Sequence, residues 1–243
     1  MQRSLFRQNM GSRQRKIEAG RLLDLPDSGE ALKSLEQWPP MEAANALIPH
    51  LCSPEAARRI KAASALGDVA VRLAAERREA ARELFRRLMW HLNEESGGMG
   101  WGVPEAMAEI LARDKGLARE FGNILVSYAT QGGNLLDHPD LFRQAVWAVA
   151  RLARTQPGQA EKSGAGKALA QAAGSGDPTV RGYAAWGLSG PGNFPEAREA
   201  LETLAQDPAP FLLPGKDGPQ SLTVARAAAG DEKINQGSPP PDP

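Results

Sequence analysis

The residues from Trp90 to Glu105 combine tryptophan, glycine and glutamate in a way that an ordinary helix connector does not require. The stretch 97–102 holds four glycines, which permit positive φ angles and close backbone approach to a ligand. No Lys or Arg occurs between Leu88 and Ala112. Carboxylates beside indole rings suit a cation, an amine or a basic peptide, through ion pairing and cation–π contact. The candidate binding residues of this segment are Trp90, Asn93, Glu94, Glu95, Trp101 and Glu105.

Two other interpretations of this segment stay open. A glycine-rich backbone ahead of a helix can cradle an anion, although uncompensated glutamates would repel a phosphate. The segment also fits a plain connector, in which tryptophan packs in the core and the glutamates stabilise the helix start. Glu105 and Glu109 are four residues apart, so they share one face of the helix that Val103-Pro104 opens.

A second candidate set consists of aromatic and polar residues at equivalent positions of a repeated pattern. Trp147 and Trp186 occupy the same position of this pattern, and Gln144 and Tyr183 lie one helical turn earlier. If their helices line a groove, these four side chains and Glu105 form an aromatic row beside an acidic patch, which suits binding. The alternative is that the two tryptophans fill gaps between repeats as large core side chains.

Sequence motifs for catalysis or metal binding have little support. The histidines His50, His91 and His138 have neither a triad partner in the sequence nor the paired spacing of a zinc helix. Ser96 does not lie in a G-x-S-x-G turn. The sequence therefore predicts no metal site and no cofactor, and it favours a binding module over an enzyme.

The elements that would position these residues repeat along the chain. The segment Asp177–Leu188 reads D-P-x-V-R-x-x-A-A-x-x-L, and weaker forms precede it. The first alanine of each unit serves as its anchor, and the anchors lie 44, 39 and 39 residues apart. Periods of this size indicate stacked two-helix units. The anchors are Ala62, Ala106, Ala145 and Ala184, and an apolar residue follows each by four positions, at Leu66, Ile110, Val149 and Leu188.

This pattern resembles the HEAT-like repeats of the phycobilin-lyase type, over roughly residues 40–206 by the repeat period. The match is best at Asp177–Leu188 and weakest in the two central units. The resemblance implies an all-α fold, an α-α superhelix of helical hairpins whose motif helices face the concave side. Proteins of this superfamily include both scaffolds and enzymes, so the fold by itself defines no activity.

Three functions are compatible with this resemblance. The leading hypothesis is a module that binds a protein or peptide in an acidic groove that contains tryptophan, and the charge of this groove favours a basic partner. The first alternative is an enzyme similar to the alkylpurine DNA glycosylases, which needs a basic groove for phosphates. Only the N-terminal arm and the arginines from Arg72 to Arg87 could supply that charge, so nucleic acid is disfavoured. The second alternative, a bilin lyase, is based on the repeat resemblance alone.

Composition sets the remaining expectations. The 243 residues carry no net charge, but residues 1–90 hold 16 Lys/Arg against 11 Asp/Glu, and residues 91–243 hold 13 against 18. The single cysteine, Cys52, excludes an intrachain disulfide and suits a reducing compartment. No apolar run has the length of a signal-peptide core or a membrane helix. We therefore expect a cytoplasmic protein without a membrane segment.

The sequence divides into three parts. Residues 1–16 contain five basic residues and no acid, and they are predicted to form a flexible basic arm or a frayed first helix. Residues 17–230 are predicted to form the repeat domain, with a short C-terminal β-hairpin around Asp217-Gly218. Residues 231–243 are rich in proline and are predicted to form a disordered tail.

Overall fold

The computed structural model describes residues 10–26, 28–93, 100–215 and 218–230. Their regular secondary structure is almost entirely helical, with 13 α-helices and one two-stranded sheet in the described ranges. They form two compact units, residues 1–114 and residues 115–243. Helix formation already begins at Ser12, so residues 12–16 belong to the first helix rather than to the predicted arm. The predicted tail, 231–243, lies outside the described residues.

The described part of unit 1 contains helices and no strands. A short 3-10 helix, Ile48–Cys52, follows its third α-helix. The α-helices are α1 (Ser12–Leu23), α2 (Ser28–Leu35), α3 (Pro40–Leu47), α4 (Ala56–Glu76), α5 (Arg78–Asn93) and α6 (Val103–Arg113).

Helix α4 is the central element of unit 1, since it packs against α3, α5 and α6. Its anchor residue Ala62 and the following Leu66 are completely buried, as the repeat pattern predicts. Gly67 lies on the same helix, and a Cβ there would stand 2.8 Å from the Glu109 carbonyl oxygen of α6. The small residues of α4 therefore permit the close approach of α6.

Unit 2 contains the remaining helices and the sheet. Its elements are α7 (Lys115–Ser127), α8 (Pro139–Thr155), α9 (Pro157–Lys162), α10 (Ala165–Ala173), α11 (Pro178–Leu188), α12 (Ala197–Leu204), β1 (Pro210–Leu213), β2 (Gln220–Thr223) and α13 (Val224–Ala228).

Helices α8 and α11 carry the two anchors of unit 2 and pack against each other. Ala145 and Ala184 are fully buried. Gly187 lies at a close approach of the two helices, because a Cβ there would stand 2.8 Å from the Ala150 Cα atom. In both units, therefore, successive anchor helices lie side by side, and a glycine in each unit permits their close approach.

Helix α11 starts at the Asp177-Pro178 pair of the repeat motif. The Asp177 Oδ1 atom accepts a hydrogen bond from the Thr179 amide at 2.9 Å, and Pro178 occupies the first helical position. A side-chain oxygen at this place satisfies an amide that has no partner inside the helix. The Arg143 Nε atom of α8 donates to Asp177 Oδ2 at 2.5 Å, which joins the starts of the two anchor helices.

The predicted β-hairpin is present after α12. Strands β1 and β2 are antiparallel, and Phe211 is opposite Leu222. The predicted turn residue Asp217 lies outside the described residues, whereas Gly218 has φ 116°, a conformation that favours glycine. The hairpin and α13 both pack against α11, so they cover the end of unit 2.

Candidate functional site

Trp90 is the most accessible of the predicted site residues whose side chains are described. Helix α5 buries one stripe against the unit, consisting of Ala80, Ala81, Leu84, Phe85 and Leu88. At 100° per residue, Trp90 lies about 200° from Leu88 around the helix axis. The indole therefore points away from the buried stripe, and 70% of the residue is exposed.

Charged side chains precede Trp90 on the exposed part of α5. Glu79 accepts hydrogen bonds from Arg86 at 2.7 Å and from Arg82 at 3.1 Å. These two arginines lower the pKa of Glu79, chiefly through their hydrogen bonds. Arg87 donates to the Asn45 side chain of α3 at 2.5 Å. The described charges nearest to Trp90 along the helix are thus guanidinium groups.

Glu105 does not lie on an acidic surface, contrary to the expectation from sequence. It is 4% exposed in the first turn of α6. Gly102 brings α6 into the interior, since its φ is 71° and a Cβ there would stand 2.5 Å from the Leu51 carbonyl oxygen. The close contact between Gly102 and Leu51 therefore places the first turn of α6, including Glu105, in the interior of the unit.

Burial controls the chemistry of Glu105. Its Oε1 atom lies 3.9 Å from Arg59 Nε, and its Oε2 atom is buried without a hydrogen-bond partner in the described structure. Burial raises the pKa of Glu105 to about 7, although the Arg59 charge acts in the opposite direction. Glu105 therefore titrates near neutral pH instead of providing a fixed surface charge.

Glu109 shares the helix face of Glu105, as predicted, but it is also internal at 7% exposure. It forms an ion pair with Arg113. Arg113 also donates to Asp68 at 2.8 Å and to Ser64 at 2.9 Å. This network joins α6 to α4. Glu109 therefore takes part in packing inside unit 1, which its spacing from Glu105 did not indicate.

The other predicted residues around the loop are only partly defined. Trp101 is half-buried and precedes the turn at Gly102. Asn93 is the last residue of α5. Glu94 and Glu95 lie outside the described residues, so their part in binding stays a prediction.

The aromatic pair of unit 2 occupies equivalent and adjacent positions, as the repeat predicts. The ring centroids of Trp147 and Trp186 are 6.4 Å apart, and the ring planes are inclined by 17°. Contrary to the expected groove lining, the residues are 4% and 8% exposed. The Nε1 atoms of both rings are buried without a hydrogen-bond partner in the described structure. Arg154 covers the second ring, with its guanidinium carbon 5.1 Å from the Trp186 centroid.

Tyr183 and Gln144 are also internal, at 7% and 8% exposure. The Tyr183 hydroxyl donates to the Leu212 carbonyl at 3.1 Å, and its ring meets Phe211 edge-on at 5.9 Å. The sequence interpretation missed this cover because it treated α11 as a helix with one open face. In the structure, β1, α8, α10, α12 and α13 all pack against α11. The apolar segment that begins at Phe211, after the last repeat, was the available signal.

The described residues show neither a cluster of metal ligands nor a helix that could span a membrane. Those residues contain no group of three or more His, Cys, Asp or Glu side chains arranged to hold a metal ion. None of their helices combines the length and the apolar character needed to cross a bilayer.

Comparison with known proteins shows which class of fold this chain has, but it assigns the chain to no protein family. No protein family and no curated protein matches the sequence. Two crystal structures of engineered proteins match with a TM-score of 0.54 at 17% identity, over 94% of this chain and 93% of one, and over 93% of this chain and 94% of the other. A designed armadillo repeat protein in complex with the peptide (KR)4 matches with a TM-score of 0.50 at 18% identity, over 88% of this chain and 96% of that one.

The chain therefore has the fold of an armadillo-like helical repeat protein. The predicted fold class, an all-α superhelix of helical hairpins with a short β-hairpin, is confirmed. At these identities the likeness concerns the fold alone. The phycobilin-lyase type of repeat and the cytoplasmic location stay predictions.

Proposed function

We propose that this chain is a helical-repeat module that binds a protein or peptide, with Trp90 of α5 as its main anchor. The main support for this proposal is the exposure of Trp90, of which 70% is accessible to solvent. Tryptophan is enriched among the residues that dominate binding energy at interfaces. The other exposed large apolar residues expose less, from 38% at Leu135 to 55% at Leu212. An indole held on the outside of a regular helix is ready to pack against a partner without a change in backbone.

The scaffold supports this proposal. Helix α5 is fixed by a continuous buried stripe and by its packing against α4 and α6, so its outer face is presented by a rigid element. Rigid presentation reduces the entropy lost on binding. The similar designed armadillo protein was solved with a bound peptide, which is a precedent for peptide binding by this kind of fold.

The finer hypothesis of an acidic groove for a basic partner depends on different residues. Glu94 and Glu95 follow Trp90 closely in sequence, and they would provide its acidic charge. Glu105 contributes less to this hypothesis, because its carboxyl is buried beside Arg59. The internal positions of Trp147, Trp186 and Tyr183 favour a supporting role beneath the surface over direct contact.

The DNA-directed alternative loses part of its charge. It relied on the N-terminal arm and on the arginines between positions 72 and 87. Arg72 donates instead to the carbonyls of Leu35 at 3.2 Å and Trp38 at 2.8 Å. Arg78 donates to the Asp114 carboxylate at 2.9 Å. Arginines engaged inside the unit add little to a phosphate-binding surface.

Peptide binding by wild type and two variants tests the proposal. Short synthetic peptides that each present a central leucine and tryptophan, with acidic, basic or uncharged flanks, would be titrated by fluorescence anisotropy. Trp90→Ala removes the anchor, and Val71→Ala removes an exposed apolar residue from the same unit as a matched control. We expect Trp90→Ala to weaken the best peptide about tenfold or more, while Val71→Ala changes its affinity less than about twofold.

Circular dichroism should give the same helical signal for all three proteins, because neither substituted side chain is buried. Binding that is equal in wild type and Trp90→Ala would refute the role of Trp90. A further variant, Glu94→Ala with Glu95→Ala, tests the acidic hypothesis separately, since it should selectively weaken the peptide with basic flanks.

A further inference from the structure

We infer that the segment recognised at Trp90 is acidic, with an apolar side chain on the indole and carboxylates beside it. This inference rests on the proposed function and specifies the chemistry of the partner. It concerns the C-terminal half of α5, where Arg86, Arg87 and Trp90 form one exposed patch. We call these three residues the Trp90 patch.

The helix geometry places the three side chains together. Arg86 and Arg87 precede Trp90 by four and three residues, which are the two spacings that make neighbours on a helix surface. All three residues are exposed, while Leu88, which lies between Arg87 and Trp90 in sequence, is fully buried. A bound segment that covers the indole therefore has two guanidinium groups within reach on the same face.

The positive charge of this face is incompletely neutralised by the ion pairs of α5. Glu79 accepts hydrogen bonds from both Arg82 and Arg86, and residues 78–93 hold four arginines against two glutamates. Arg87 is held by a neutral amide, the side chain of Asn45. The patch therefore keeps an excess of positive charge on the described part of the helix.

The charged groups are also able to change partners. The Arg86 and Glu79 side chains are 51% and 49% exposed, and ion pairs at such positions contribute little to stability. A guanidinium has five N–H donors, so Arg86 can contact a second carboxylate while it retains Glu79. A carboxylate on the partner can bind in a bidentate manner, which gives geometric specificity as well as attraction.

Charge complementarity therefore selects one occupant, a peptide segment that carries an apolar residue between Asp or Glu residues. A basic segment would face Arg86 and Arg87, which is unfavourable, and complementary potentials at an interface mainly determine specificity and association rate. A nucleic acid would also bring negative charge, but through phosphates instead of carboxylates. It is therefore a competing outcome of the test.

The test compares the peptides with acidic, basic and uncharged flanks on four forms of the full chain. Arg86→Glu with Arg87→Glu reverses the charge of the patch, and Arg86→Gln with Arg87→Gln removes it more gently. Arg198→Glu with Arg226→Glu is the control, since it makes the same change in net charge at two exposed positions of unit 2. Circular dichroism and thermal unfolding establish that each variant is folded.

We expect the acidic peptide to bind wild type most tightly, and raising the ionic strength to weaken it. The charge reversal should weaken the acidic peptide about tenfold or more, with a smaller loss for the glutamine variant. The control reversal should leave its affinity within about twofold.

The outcomes separate this inference from the proposed function. Binding that depends on Trp90 but prefers the basic peptide, or that survives the charge reversal, overturns the acidic partner and leaves the binding module intact. Tighter Trp90-dependent binding of a single-stranded oligonucleotide than of the acidic peptide also overturns it. If no peptide binds in a way that depends on Trp90, both proposals fail.

Discussion

The indole ring of Trp147 in α8 is stacked on that of Trp186 in α11, with centroids 6.4 Å apart. The two residues come from successive repeats, and both are more than nine-tenths buried. The stack therefore joins the two anchor helices of unit 2 through their interior. Arg154 extends it, because its guanidinium covers Trp186 and donates to the Trp186 carbonyl at 2.7 Å.

Removing one ring of the stack should destabilise the protein substantially. Trp186→Ala leaves a cavity beside Trp147, and such changes in a core cost about 3–5 kcal/mol in the free energy of unfolding. Urea unfolding monitored by circular dichroism measures the loss. Trp90→Ala is the matched control, and at an exposed site it should change stability by about 0.5 kcal/mol or less. Equal stability of the two variants would contradict the core assignment of Trp186.

A second prediction concerns the seat of the C-terminal hairpin on α11. A Cβ at Gly182 would stand 2.5 Å from the Phe211 ring, so Gly182→Ala must displace the ring that covers Tyr183. Overpacking of this kind costs about 1–3 kcal/mol, despite the better helix propensity of alanine. Gly176→Ala is the control, because its Cβ would have no atom within 4 Å. Thermal unfolding should separate the two variants.

If Gly182→Ala and Gly176→Ala unfold at the same temperature, Phe211 is not held against α11 as described. Limited proteolysis gives an independent measurement. Only the Gly182→Ala variant should become easier to cleave in the hairpin, since a loosened segment is the first to be attacked.

The third prediction separates the two roles of Asp177. Its side chain caps the Thr179 amide and pairs with Arg143. Asp177→Ala removes both and should cost about 1–2 kcal/mol. Asp177→Asn retains a good capping group but removes the charge, so it should cost less. Urea unfolding of the two variants and of Arg143→Gln measures the difference. A loss for Asp177→Asn as large as that for Asp177→Ala would mean that the ion pair, not the cap, dominates.

The sequence predicted the repeat scaffold well because helix packing requires small and apolar residues at regular intervals. The anchors Ala62, Ala106, Ala145 and Ala184 are all fully buried. The cap at Asp177 and the C-terminal hairpin were also predictable, since each depends on a few neighbouring residues with specific backbone preferences. Local chemistry and periodicity are present in the sequence itself.

The exposure of the candidate site residues was less predictable, because it depends on segments that are distant in sequence. Trp186 and Tyr183 have the same residue types that an open groove would use, but β1 and α13 cover their helix. Glu105 became internal through the turn at Gly102 and its approach to Leu51. Trp90 was singled out as part of the loop, and only the buried stripe of α5 reveals how exposed it is.

The last prediction uses the buried carboxyl of Glu105. Burial raises its pKa from 4.5 to about 7 in the folded protein. Between these pH values the folded state holds a proton that the unfolded state has released, so this residue makes stability fall as pH rises. A shift of this size corresponds to about 3 kcal/mol, at about 1.4 kcal/mol per pKa unit. The penalty is absent below about pH 4.5 and complete above about pH 7.

Glu105→Gln should remove this pH dependence, because a neutral amide has no proton to release. The difference in unfolding free energy between the variant and wild type should therefore rise in favour of the variant from about pH 5 to pH 8 and then level off. Urea unfolding at a series of pH values measures it. Glu79→Gln is the control, since the pKa of Glu79 is lowered, so its difference should be flat over the same range. A flat difference for Glu105→Gln would mean that its carboxyl is already ionised throughout, held in that form by Arg59.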